Sequence, residues 1–415
     1  MPELNDAVVV AATRSPIGRA NKGSLVDKRA DELMADVLVA LMDQVPQVDR
    51  PDVQDIICGN VAQTAETGFN IARTAGILAG FPLEVPAHTV QRFCASSLQS
   101  ITAAANAVKV GEGDMYIACG VEKSSRPPAP EGSDGGGESG GGGRGGGARG
   151  GGRRGGGIGP GGLNPKLLGR DSGFPFVYIP MGMTAENVAE KFNVSRADMD
   201  AFAKLSQDRA VAAQAAGVFD AEISPIIKDD GTVVSTDDGP RPNTTLERLA
   251  ELPTPFKEGG SVTAGNSCPL NDGAAAVLIT SRLKADELGL TPLARIVATA
   301  YSGNDPEIMG VAPIDAVGKV LAKVGMSIGD IDVVELNEAF AAQVLPVCEH
   351  AGIDVERQLN PHGGAIALGH PFGMTGARIM TTLINDLRTS DGHWGLETMC
   401  AAGGMAMATV VERLA

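Results

Sequence analysis

Short apolar, β-branched runs alternate along the chain with Ala-rich amphipathic stretches. Residues 8–12, 56–58 and 115–119 read as strands, and residues 31–44 and 96–110 as helices, because their apolar positions recur at helical spacing. A similar order returns late: 294–300 strand-like, 314–324 helix-like, 332–335 strand-like, and a final Ala/Met-rich stretch over 401–412 that reads as helix. This rhythm predicts an α/β protein built from a duplicated unit. Two echoes support duplication. Residues 51–59 and 329–337 share an apolar pattern, and Cys94 and Cys400 each follow a strand-like run (87–90 and 396–399) and open a helix-like one.

Between the halves the texture changes. Met181-Gly-Met-Thr-Ala-Glu-Asn-Val opens a helix, and residues 195–216 form a second one with Ser195 and Asp198 as a capping pair. Residues 132–162 are dominated by glycine, interspersed with Arg144, Arg149, Arg153 and Arg154, a composition that cannot bury apolar surface. This tract reads as a flexible linker, or as an Arg-Gly segment for RNA or for the 3′-phosphate of a nucleotide cofactor.

Composition narrows the class. A chain of 415 residues that is 43% hydrophobic has room for two or more domains. A net charge of -16 argues against a general polyanion binder, so nucleic acid is not an expected partner. The six cysteines show neither CxxC pairs nor metal-type histidine spacing, so no metal site is expected, and a reducing cytoplasm is the expected location. The start lacks a signal-peptide pattern, and no run reaches membrane-spanning length.

Cys94 sits in Val90-Gln-Arg-Phe-Cys-Ala-Ser-Ser, between a strand and a helix, where the free N–H groups of a helix start favour a thiolate. The same spacing also suits a buried cysteine acting as a small hydrophobe. His370 lies in Gly363-Gly-Ala-Ile-Ala-Leu-Gly-His-Pro-Phe-Gly, where glycine and proline let backbone approach closely and set an imidazole beside a nucleophile, although a solvated loop histidine fits equally. Asn337, between a strand and a helix, has the position of an N-cap, and Cys400 that of a core residue.

Taken together, the Cys94 segment, Asn337-Glu-Ala-Phe340, Gly369-His-Pro371 and Cys400-Ala-Ala-Gly-Gly404 resemble the thiolases. The likeness extends from Ala11-Ala-Thr-Arg-Ser-Pro-Ile-Gly18 through residues 181–188, 262–266 and 271–275 to the C-terminal region.

The resemblance implies the thiolase fold: two duplicated βαβαβ-type halves in an α/β/α/β/α layering, with an inserted loop domain. The expected divisions are residues 1–122, completed by about 266–290, an insert over 123–265, and 291–415. It implies an acyltransferase with no permanently bound cofactor, coenzyme A as co-substrate, acyl-CoA as partner, and a homodimer or homotetramer. Cys94 would be the acyl-bearing nucleophile, His370 its base, Cys400 the acid/base at the acetyl α-carbon, and Asn337 a water and enolate ligand. The backbone N–H groups of Cys94 and Ala402 would form an oxyanion site. Met181, Cys268 and Phe340 would line the substrate and CoA path, with His362 as a possible pocket-wall group. The serine at Ser97 looks like that of fatty-acid-degrading members, so the expected direction is degradative. Biosynthetic acetoacetyl-CoA formation is the alternative. A ketoacyl synthase-like condenser is disfavoured by Cys400, and an RNA-binding scaffold would rest on the arginine tract alone.

Overall fold

Most of the apolar runs become strands of one sheet in the computed structural model, which describes residues 5–125 and 163–415. The tract at 132–162 lies outside the described residues. In chain order the strands are β1 (Ala7–Arg14), β2 (Gly18–Arg19), β3 (Asp55–Gly59), β4 (Ala87–Val90), β5 (Met115–Lys123), β6 (Ile226–Ile227), β7 (Val233–Val234), β8 (Asn271–Ser281), β9 (Ala294–Gly303), β10 (Val333–Leu336), β11 (Trp394–Ala401) and β12 (Met405–Arg413). The helices are α1 (Ala30–Asp43), α2 (Ile71–Leu78), α3 (Ser96–Val110), α4 (Met181–Lys191), α5 (Arg196–Ala215), α6 (Leu246–Ala250), α7 (Arg282–Leu288), α8 (Pro313–Val324), α9 (Ala341–Ala351), α10 (Ala365–Leu368) and α11 (Thr375–Thr389).

The sheet runs β4-β3-β5-β8-β1-β9-β12-β11-β10, with β2 beside β8. Outward from the β1–β9 junction, the two halves repeat each other. β1 is antiparallel to β8, β8 antiparallel to β5, and β5 and β4 both run parallel to β3. On the other side β9 is antiparallel to β12, β12 antiparallel to β11, β11 parallel to β10, and a parallel bridge from Val334 to Leu359 stands where β4 stands in the first half. β3 therefore corresponds to β10, as the echo between residues 51–59 and 329–337 predicts.

Packing follows from which faces are apolar. α1 buries Leu33, Met34, Val37, Leu38 and Leu41 at helical spacing, and with α2 it covers the outer face of the first half. Each such burial contributes about 1.5–3 kcal/mol. On the second half the outer layer is α8 with α9 beside it, and α3 and α11 lie between the halves. This is the expected α/β/α/β/α layering. Ser195 caps α5 by accepting the Asp198 N–H, as its sequence position suggests.

The second echo is corrected. Cys400 lies inside β11, and the chain beyond it forms not a helix but a hairpin to β12 through Gly403 and Gly404. Alanine and methionine favour helix intrinsically, and the alternation that marks a half-buried strand is missing because β12 is covered on both faces. Met407 and Val411 join the central core, while Ala406, Ala408 and Val410 join the outer one. The true counterpart of the turn into α3 is the turn into α11, which carries His370.

A buried arginine ties β1 to the segment between β5 and β8. Arg14, with no exposed surface, donates Nε to Glu222 at 2.9 Å and its two terminal nitrogens to Asp237 at 2.8 and 3.0 Å. Burial works against the charge, but Asp237 and Glu222 outweigh it and hold the guanidinium protonated. Glu222 also accepts from Thr382 and Asn385 of α11, and Asp237 accepts the Ile17 N–H. Arg14→Met strands two buried carboxylates and should cost about 3–5 kcal/mol in urea unfolding. A loss below about 1 kcal/mol, the scale of an exposed pair, would show that the network is not structural.

Candidate active site

The chain leaves β4 at Val90 and enters α3 at Ser96 through a tight turn in which Phe93 adopts the left-handed region, φ 46°. Such backbone strain in a bulky residue persists only where its surroundings hold it. Here Ser96 Oγ accepts the Arg92 N–H at 2.9 Å and donates to the Phe93 carbonyl at 2.6 Å. No side chain caps α3, so its opening amides are not claimed by a capping group. Cys94 sits at this turn, and the backbone N–H groups of Cys94 and Ala402 both favour negative charge on its sulfur.

Burial works against the pull of the helix start. The residue keeps some surface, yet its thiol is enclosed, and burial pushes the Cys94 thiol well above its ordinary range, with Cys400 adding to the rise. Desolvation of the charged form outweighs the amides. Burial therefore holds Cys94 toward its thiol form.

His370 occupies the equivalent turn before α11. Gly369 holds φ 118° there, and a Cβ at that position would lie 2.6 Å from the side chain of Asn271, so only glycine fits. Asn271 Oδ1 accepts the His370 backbone N–H at 3.0 Å. The imidazole Nδ1 lies 2.6 Å from Thr375 Oγ1, whose hydroxyl donates to the Pro371 carbonyl at 2.8 Å. The hydroxyl proton is thus committed, Nδ1 carries the hydrogen, and Nε2 is left with its lone pair. Nε2 faces Asn337 Nδ2 at 3.3 Å. Burial, reinforced by Arg378, pushes His370 down to about 3, so the ring is neutral at ordinary pH.

The two central helices meet at their first turns, where Ser97 Oγ accepts the Ala377 N–H at 2.9 Å. Two helix N-termini therefore lie beside the thiol and the imidazole, and both favour negative charge developing there.

Asn337 follows β10 and is not the cap of α9, which begins at Ala341 with Phe340 in the cap position. Its backbone N–H donates to Thr398 of β11 at 3.0 Å, and its Oδ1 is buried without a partner among the described residues. The next residue, buried Glu338, accepts from Ser206 Oγ (2.6 Å), Asn360 Nδ2 (2.8 Å) and the Ile366 N–H (3.1 Å), which pins the turn. Cys400 is buried in β11, and its thiol is pushed up to about 12 by burial and then by Cys268.

Cys268 joins the same group of thiols. Its N–H donates to the Ala339 carbonyl at 3.0 Å, and burial and then Cys94 push its thiol up. Met181, at the first turn of α4, and Cys268 both pack against the core cluster that contains Phe340 and Cys400. His362 does not join them. Its Nδ1 lies 2.5 Å from Asp386 Oδ1 and its ring is edge-on to Phe219. Asp386 is near the far end of α11 from Thr375, which removes His362 from the pocket wall. Sequence reading missed Thr375, Asn271 and Glu338. Thr375, five positions beyond His370 at a helix start, and Glu338, inside the run Asn337-Glu-Ala-Phe340, carried local signals.

Comparison with known proteins agrees with this geometry. The chain matches the family description "Thiolase, N-terminal domain" over residues 7–143 and 168–283 and "Thiolase, C-terminal domain" over 290–413. It is 43% identical to the beta-ketoadipyl-CoA thiolase of Acinetobacter baylyi, over 99% of this chain and 100% of that one. It is 42% identical to the peroxisomal 3-ketoacyl-CoA thiolase B of Mus musculus, over 98% and 91% of the two chains. The crystal structure of the dimeric peroxisomal thiolase of Saccharomyces cerevisiae superposes with a TM-score of 0.85 at 36% identity, over 99% and 98% of the chains. An acetyl-CoA acetyltransferase of Bacillus anthracis gives 0.85 and 36%, over 100% of both. With both halves of the family matched and relatives aligned along nearly its whole length, the chain belongs to the thiolase family.

Proposed function

We propose that this thiolase cleaves 3-ketoacyl-CoA through an acyl-enzyme on Cys94, and the observation that carries the assignment is a run of neighbours: Cys400 bears on the Cys94 thiol, Cys400 and Asn337 border one interior space, and Asn337 Nδ2 lies 3.3 Å from His370 Nε2. It is an acyltransferase of a degradative type that uses CoA as co-substrate and no permanently bound cofactor.

His370 Nε2 takes the Cys94 proton, and the sulfur attacks the 3-keto carbonyl, whose oxygen is met by the N–H groups of Cys94 and Ala402. The bond between C2 and C3 breaks, its electron pair passes to C2, and the product is the enolate of acetyl-CoA. That enolate oxygen is held by Asn337 and by the proton His370 has just acquired on Nε2, so one nitrogen serves both moments. Cys400 supplies the proton to C2 and then, as thiolate, accepts the proton of incoming CoA. The CoA sulfur attacks the acyl-Cys94 thioester, shortened acyl-CoA is released, and the expelled Cys94 thiolate recovers its proton from His370 Nε2. A thiol pushed up to about 12 is in its acid form at neutral pH, as the first proton transfer requires.

Met181, Cys268 and Phe340 are proposed to border the acyl and pantetheine path, supported by their place in or against the core cluster that contains Cys400 and, for Cys268, by its effect on the Cys400 thiol. Residues 123–265 are taken as an insert in the first half, supported by β8 returning between β1 and β5. A homodimer is supported by likeness to a thiolase described as dimeric, and a cytoplasmic setting by the bacterial relatives of Acinetobacter baylyi and Escherichia coli. Among the described residues no helix is long and apolar enough to cross a membrane. Likeness to the Bacillus anthracis acetyltransferase supports a second reading, acetoacetyl-CoA formation.

The test is CoA-dependent loss of acetoacetyl-CoA, a longer 3-ketoacyl-CoA and 3-oxoadipyl-CoA, with the ratio of rates separating the readings. Cys94→Ala should abolish cleavage of all three. Cys400→Ala should still release CoA once from acyl-CoA while turnover falls by at least roughly a hundredfold, and equal loss of both steps in both variants would refute the division of labour. Because His370 is held neutral down to about 3, kcat/KM for the 3-ketoacyl-CoA should be flat from about pH 5.5 to 8.5. An acid limb near the ordinary histidine value, about 6.5, would contradict the neutral, buried base.

A further inference from the structure

We infer that Gln343 is a positioning residue for Cys400, its amide orienting the thiol proton and then stabilising the thiolate that remains; this rests on Cys400 as the proton-transfer group. Gln343 lies in the first turn of α9, 2% exposed, and its Oε1 accepts the Cys400 S–H at 3.8 Å, within reach for sulfur. Its Nε2 is buried and has no partner among the described residues. A buried donor left unpaired is costly, and it is tolerated where it serves a second state. The same tight interior space is bordered by Gly310, Asn337, Gln343 and Cys400, so the amide and the enolate ligand Asn337 share one compartment.

The residue type matters. Cys400 alternates between thiol, which needs an acceptor, and thiolate, which needs a donor. A carboxamide offers both on one planar end, and a half-turn about its last bond exchanges them. No proton moves onto glutamine in either state, so it adds no charge that would compete with the enolate. The chain also makes room for it: a Cβ on Gly310 would lie 1.9 Å from the Gln343 amide carbon and 2.2 Å from Nε2. Gly310, in the 3-10 turn Pro306–Val311, thus sets the amide from a different element.

The experiment compares Gln343→Met, Gln343→Glu, Gly310→Ala and Cys400→Ala in the full-length protein. It measures single-turnover CoA release from acetyl-CoA, which reports Cys94 acylation, and exchange of acetyl-CoA methyl protons for solvent deuterium, which reports Cys400. Gln343→Met should acylate within about twofold of the parent and lose roughly five- to tenfold in exchange, the worth of one hydrogen bond to the reacting group. Gln343→Glu should move the pH dependence of exchange upward, because a carboxylate beside the sulfur disfavours the thiolate. Gly310→Ala, whose Cβ displaces the Gln343 amide, should repeat the exchange defect while residues 343 and 400 keep their identity. Unchanged exchange in Gln343→Met, or equal loss of acylation and exchange, overturns the inference. If Gln343→Met does not fold, an unshifted exchange profile in Gln343→Glu overturns it instead. Full exchange in Cys400→Ala would instead remove Cys400 from the proton-transfer role and leave the Cys94 chemistry standing.

Discussion

The contact on which the site depends is the meeting of α3 and α11 at their first turns, where the Ser97 hydroxyl accepts the Ala377 N–H. Each helix is the central element of one half of a duplicated sheet, and the antiparallel pairing of β1 with β9 fixes the two halves side by side. Duplication therefore does more than enlarge the core. It brings two equivalent turns together, one ending in Cys94 and the other in His370, at the positive ends of two helices. The strands β10 and β11 of the second half then deliver Asn337 and Cys400 to the same place.

Burial decides the resting charges. It keeps the Cys94 and Cys400 thiols protonated and the His370 ring neutral, against the pull of the Cys94 and Ala402 amides on the Cys94 sulfur. A site that rests uncharged stores no ion pair whose attraction must be broken before reaction. In the proposed mechanism its fixed dipoles act when charge appears on sulfur, on the keto oxygen or on the enolate. The cost is borne by the frame: the left-handed Phe93, the Asn337 Oδ1 without a partner among the described residues and the fully buried Arg14 with its two carboxylates are all features that a stability-driven core would avoid.

Much of this was legible from residues alone. α3 spans the residues its pattern predicts, the echo that relates β3 to β10 survives in the topology, and Cys94, Asn337, His370 and Cys400 do converge. What was misread has a common cause. β12 looked helical because a strand buried on both faces loses its alternation, so Cys400 was matched to the wrong partner in the repeat. The helix start at Cys94 was legible, but the burial that pushes its thiol up, with Cys400 of β11 adding to the rise, comes from contacts that the local sequence does not show. His362, close to His370 in sequence, is carried off by Asp386. Asn271 and Gln343 make contacts that no spacing in the sequence encodes.

Three thiols share this site, so the most direct measurement is to find which one carries the acyl group. The protein is mixed with acyl-CoA in the absence of free CoA, quenched in acid and mapped by peptide mass spectrometry. One acyl group on the peptide containing Cys94, with Cys268 and Cys400 unmodified, is the expected result. Stoichiometric label on Cys268 or Cys400, with Cys94 free, would contradict the assignment of nucleophile and proton-transfer thiol on which the chemistry rests.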